Sequence, residues 1–113
     1  MLTIDMMRDY GADVDQGLER CMNNESFYLR LVGMALADAG FDKLSGCLAA
    51  GDWDGAFEAA HALKGVLGNL AIKPIYDPMC ELTDLLRGRS AVDYAALLSQ
   101  ILDRRAALAA LTE

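Results

Sequence analysis

Apolar side chains recur at three- and four-residue spacing along most of the chain, and nowhere do they alternate long enough to compete as a strand. From Glu25 to Asp38, one helical face is marked by Tyr28, Leu31, Val32, Ala35 and Leu36. After Ala39-Gly40 the pattern resumes with Phe41, Leu44, Cys47 and Leu48 as far as Gly51. This predicts a long helix with a break near Gly40. Gly51 suits a left-handed helix exit and Asp52 an N-cap, so a central helix is expected from Trp53 to about Ala71, with Asp54 well placed in its first turn. Lys73-Pro74 should end it. The next helix carries Met79, Leu82, Leu85 and Leu86 as its inner stripe and closes at Gly88. Both Pro74 and Pro78 belong near its start, where a missing amide does little harm. Ser90 and Asp93 resemble a capping box for the last helix, whose broad apolar face holds Tyr94, Leu97, Leu98, Ile101, Leu102, Leu108 and Leu111.

Ahead of these four helices, Thr3 can cap a short helix running to about Tyr10, and Gly11 stops it. A second short piece is expected from Val14 to Met22, ending at Asn23-Asn24, which also suit the start of the following helix. The fold class is therefore all-α. Long helices joined by connections of roughly two to six residues favour an up-down antiparallel four-helix bundle, with the short N-terminal segment across one end. The expected organisation is one domain over residues 1–113, with a bundle core at about 25–112 and an N-terminal cap at about 3–22. No internal repeat or low-complexity linker interrupts it.

Composition narrows the functional classes. A hydrophobic content of 54% with 24% charged residues fits a chain that buries a core. The net charge of −7 argues against nucleic acid or an anionic membrane as partner, since neither is attracted to an acidic surface. Cys21, Cys47 and Cys80 are odd in number and widely spaced, as expected of buried thiols in a reducing compartment. No run of about 20 apolar residues offers a membrane span, and the N-terminus lacks the basic start of a signal peptide, so a cytoplasmic location is expected. The six methionines read as core filler, Trp53 as an anchor at the start of the central helix, and Arg87, Arg89, Arg104 and Arg105 as solvated helix ends.

The stretch from Ala59 to Leu70 holds the only histidine. At about 100° per residue, Ala59, Leu63, Val66 and Leu70 point one way, while His61, Lys64, Gly65 and Gly68 point the other. Glu58 and Lys64 each lie about one turn from His61. An exposed imidazole is substantially uncharged at neutral pH and can attack through a ring nitrogen. A lysine one turn away is suited to holding an anionic oxygen. Glycines inside a helix cost about 1 kcal/mol each relative to alanine, so Gly65 and Gly68 suggest a use for a bare surface beside the ring. Phe57 and Ile72 are expected on the same outward side, as apolar contacts for a partner.

The run His61-Ala62-Leu63-Lys64-Gly65, preceded by Ala60 and followed by Gly68-Asn69-Leu70, resembles the signature of histidine phosphotransfer (HPt) domains. The approach Ala50-Gly51-Asp52-Trp53 and the later Ile75, Met79, Leu82 and Leu86 are similar to that family too. The resemblance spans about Val14 to Arg87. It implies a four-helix bundle whose exposed histidine, here His61, carries a phosphoryl group between aspartates of receiver domains in a His-Asp phosphorelay. Lys64 would neutralise phosphoryl charge, and Gly65 and Gly68, flanked by Phe57, Glu58 and Ile72, would form the docking surface. The implied partners are the receiver domains of response regulators and hybrid histidine kinases. The chain itself would need no cofactor, magnesium being held by the partner receiver's carboxylates, and would work as a monomer. Two positions depart from the family: Ala71 stands where many members have a glycine, and Thr83 where many have a glutamate, which touches only a peripheral contact.

No Gly-x-x-x-x-Gly-Lys-Ser/Thr loop is present, so no ATP site and no autokinase activity are expected. Two alternatives bear on the same residues. One is a helical adaptor that binds a receiver without accepting phosphate. The other is a carboxylate-histidine metal bundle built on Glu58 and His61, which would need a second Glu-x-x-His that this chain lacks.

Overall fold

In the computed structural model, residues 1–113 are described throughout and form seven α-helices with no strand. The N-terminal segment is α1 (Ile4–Tyr10) and α2 (Val14–Arg20). The bundle is α3 (Glu25–Leu36) with α4 (Gly40–Ala50), then α5 (Trp53–Asn69), α6 (Lys73–Arg87) and α7 (Tyr94–Leu111). Caps form where side chains could reach free amides. Thr3 accepts from Met6, Asn24 from Phe27, Asp52 from Gly55 and Asp93 from Ala95. Gly11 and Gly51 close α1 and α4 with φ of 110° and 72°. No helix is long and apolar enough to cross a membrane.

The up-down course of the bundle is fixed by contacts between opposite ends. Gly68, late in α5, meets Tyr76, early in α6, while Asp54, early in α5, pairs with Arg89 just after α6. Tyr94 at the start of α7 donates to the Leu85 carbonyl near the end of α6, and Arg104 further along α7 donates to the Pro74 carbonyl at the start of α6. One cluster of 25 buried residues draws on all seven helices, with Tyr28, Phe41, Met7, Leu63 and Met79 among its larger side chains.

The break expected near Gly40 is present and leaves two separate helices: Asp38 Oδ1 accepts from the Gly40 amide, and a Cβ on Gly40 would lie 3.1 Å from Leu63 Cδ2, so α4 approaches α5 more closely than a larger residue would allow. Several other expectations are corrected. Pro78 lies inside α6 and is buried, so it removes a helical hydrogen bond to the Pro74 carbonyl. Arg104 Nη1 replaces that bond at 2.7 Å. Arg105 is likewise no solvated end: its Nε donates to the Leu36 carbonyl at 2.8 Å and its guanidinium lies 4.4 Å from the Phe41 ring centroid. Ser90 makes no capping box with Asp93, because α7 begins only at Tyr94 and Asp93 is itself the N-cap. Of the six methionines only Met7 and Met79 are buried. Cys21 is buried, whereas Cys47 and Cys80 are half-buried; all three are free thiols. Trp53 remains 41% exposed and packs on Tyr94 at 5.5 Å between ring centroids, tying the start of α5 to the start of α7.

Candidate functional site

The helix that carries His61 presents it as the spacing requires. Ala56, Ala59, Ala60, Leu63 and Leu67 are buried, and this places His61, Glu58 and Gly65 in solvent. The imidazole stacks on Phe57, one turn earlier, at 5.8 Å and 16° between the rings. Neither ring nitrogen is used in a hydrogen bond within the chain. Phe57 is half-buried against the core, and the Arg87 guanidinium lies 5.5 Å from its ring centroid. Phe57 therefore serves as the platform that orients the imidazole, with only part of its ring left to meet a partner. Lys64 is half-buried and takes part in no ion pair.

The two glycines differ. A Cβ on Gly65 would meet nothing within 4 Å, so this position is open surface. A Cβ on Gly68 would lie 2.9 Å from Tyr76 Cε1, so the space beside Gly68 is already filled by a ring from α6. Gly68 is thus a packing requirement as much as a bare surface.

Ile72 is not on the outward face; it is fully buried. The reason is local: α5 stops at Asn69 and Ala71 takes a left-handed conformation with φ of 54°, which breaks the helical phase and returns Ile72 to the core. Ile72 then precedes Lys73 as the first flank of α6, so Lys73-Pro74 begins a helix and does not end one. The same φ explains why a glycine suits position 71 on steric grounds, independently of docking. Thr83 also lies away from any partner: it is fully buried and its Oγ1 donates to the Met79 carbonyl at 2.7 Å. A glutamate could not occupy that place without burying a charge.

The C-terminal end of α5 is covered by α2, a neighbour that no sequence spacing announced. The Asp13 amide donates to the Ala71 carbonyl at 3.0 Å. Tyr28, fully buried, donates to the Leu70 carbonyl at 2.8 Å, and burial pushes its phenol up to about 12. Gly17 makes the approach possible, since a Cβ there would lie 2.5 Å from Tyr28 Cε1 and 2.7 Å from the Leu70 carbonyl oxygen. Arg20, at the end of α2, donates to the Gly68 carbonyl. A groove of about 570 Å³ results, with Arg20, Lys64, Gly65, Gly68, Lys73 and Tyr76 among its walls. The Tyr76 phenol is held above the ordinary tyrosine range, chiefly by hydrogen bonding with the Cys80 thiol, while Arg20 acts in the opposite direction.

No group of three or more His, Cys, Asp or Glu side chains within the chain is placed to hold a metal ion. What the arrangement offers is a solvent-facing imidazole with free ring nitrogens, an unpaired ammonium one turn away and an open flank at Gly65. No curated protein and no solved structure matches the chain. A family model described as the Hpt domain matches residues 3–111, a span that takes in every helix, and the chain belongs to that family.

Proposed function

We propose that His61 accepts a phosphoryl group from the aspartate of one receiver domain and passes it to the aspartate of another. Family membership supplies the coarser part, a histidine phosphotransfer role in phosphorelays that involve receiver domains. The observation that carries the assignment to a residue is the exposed imidazole of the only histidine, stacked on Phe57 with both nitrogens uncommitted and Gly65 open beside it.

The unprotonated ring nitrogen attacks phosphorus in line. The N–P bond forms as the P–O bond to the aspartyl carboxylate breaks, and the carboxylate leaves with that electron pair. The other nitrogen keeps its proton in the imidazolium product and can lose it to solvent. Lys64, unpaired and one turn from His61, offsets charge on the phosphoryl oxygens during transfer. Magnesium belongs to the receiver in this scheme and supplies charge neutralisation at the acyl phosphate.

Incubation with phosphorylated receivers tests the reading. The wild-type chain should gain an acid-labile phosphate that His61→Gln does not acquire. Lys64→Ala should transfer about tenfold more slowly, equivalent to about 1.4 kcal/mol in the barrier, and melt within about 0.5 kcal/mol of wild type. Labelled His61→Gln, or a wild-type chain that none of its cognate receivers labels, would refute the assignment. Binding without labelling would instead point to an adaptor.

A further inference from the structure

We propose that the groove between α2, the C-terminal half of α5 and the start of α6 is a docking surface for an acidic segment of the receiver domain, with Arg20, Lys64 and Lys73 as its cations. The inference rests on His61 being the phosphoacceptor, because Lys64 belongs both to the groove and to the turn after His61.

The charge distribution selects the occupant. The chain has 17 acidic residues against 10 Lys and Arg, yet the groove is lined by three cations and by no carboxylate. The remaining lining side chains include Gln16, Asn69 and Tyr76, which are polar and uncharged. Glu19 and Asp77, the acids nearest Arg20 and Lys73 along α2 and α6, stay outside the lining. Of the seven cations outside the groove, Arg8 pairs with Asp15, Arg87 with Asp84 and Arg89 with Asp54, while Arg104 and Arg105 are spent on backbone carbonyls, Arg30 lies over the Phe27 ring and Lys43 stands alone. Arg20, Lys64 and Lys73 enter none of these pairs. A concave cluster of unpaired cations on an acidic protein repels its own surface and attracts an acidic one, which favours one orientation of an approaching partner.

Preorganisation adds to the argument. Arg20 is held by its bond to the Gly68 carbonyl, which occupies one of five guanidinium donors and leaves the others to face a carboxylate. Its position depends on Gly17, which lets α2 settle against Tyr28 and Leu70. An ordered cation forfeits less side-chain entropy on docking than a free one. Gly65, beside the same groove, leaves room for the partner's backbone to approach His61.

The test compares wild type with the double variant Arg20→Gln/Lys73→Glu, using the receiver domain that labels the wild-type chain most rapidly. The second-order transfer rate at low receiver concentration should fall about tenfold or more, with a flatter dependence on salt, while the saturating transfer rate changes less than about twofold. Calorimetric titration of the same receiver into His61→Gln, with and without the two charge changes, should show the matching loss of affinity. If losing the Arg20 bond unfolds the double variant, Lys73→Glu alone, an exposed position, should still slow second-order transfer about threefold. An unchanged rate and salt slope would overturn the groove while leaving His61 intact. Equal falls in the second-order and saturating rates would assign the cations to phosphoryl chemistry and overturn docking. A wild-type chain that no receiver labels would overturn the phosphoacceptor reading and this one together.

Discussion

The two ends of α5 are secured in different ways. At the start, Asp52 caps the first turn, Gly51 supplies the left-handed exit of α4, and the cross-helix contacts, Trp53 on Tyr94 and Asp54 with Arg89, lie at the surface. At the finish, the carbonyls of Gly68, Leu70 and Ala71 are met by Arg20, Tyr28 and Asp13, all of them 42 or more residues away in sequence. The first end is solved locally and tolerates exposure. The second is buried beneath the N-terminal helices, and it is there that the cationic groove forms. His61 stands between them, so the exposed turn that carries it is bounded on one side by tertiary structure that the bundle alone would not provide.

The largest test of that contrast sets Gly17→Ala against Asp52→Ala. Overpacking Tyr28 and the Leu70 carbonyl should cost about 2–3 kcal/mol, whereas losing the cap should cost about 1 kcal/mol. Denaturant unfolding measures both, and equal losses would erase the distinction between the ends. The two outward glycines give the next effect. Gly65→Ala should stabilise by about 1 kcal/mol because the added methyl meets nothing. Gly68→Ala should gain little or lose, since Tyr76 must move. Thermal melts that rank the pair the other way would contradict the assignment of Gly65 as the open surface. The smallest effect is expected from Ala71→Gly: relief of the left-handed conformation is worth about 1 kcal/mol, offset by about 0.8 kcal/mol for a lost buried methyl. A net change of more than about 1 kcal/mol in either direction would show that the backbone turn at Ala71 is set by something other than steric preference.

What could be read from the sequence follows the same division. Caps at Thr3, Asn24 and Asp52, the glycine exits at Gly11 and Gly51 and the outward placement of His61 depend on neighbours within a turn or two, and the structure has them. The burial of Ile72 was not legible, because a helical wheel carries its phase forward without limit and Ala71 resets it. Arg20 and Tyr76 enter the site from other helices. Nothing in the spacing around His61 points to them; the only marks the sequence carries are a glycine inside α2 and the arginine that ends it. The arginines of α7 escape a side-chain pattern for a related reason: their partners are backbone carbonyls, which leave no mark in it.

Pro78 has a consequence for how the molecule opens. The bond it denies to the Pro74 carbonyl is restored from a different helix by Arg104, whose own carbonyl accepts from the Tyr10 hydroxyl at 2.6 Å. A rung of α6 thus belongs to α7, and α1 is latched to the same residue. Sliding α7 along α6 by even one turn would strip that carbonyl of its donor, so the three helices share a single register and should release their amides to exchange as one cooperative unit.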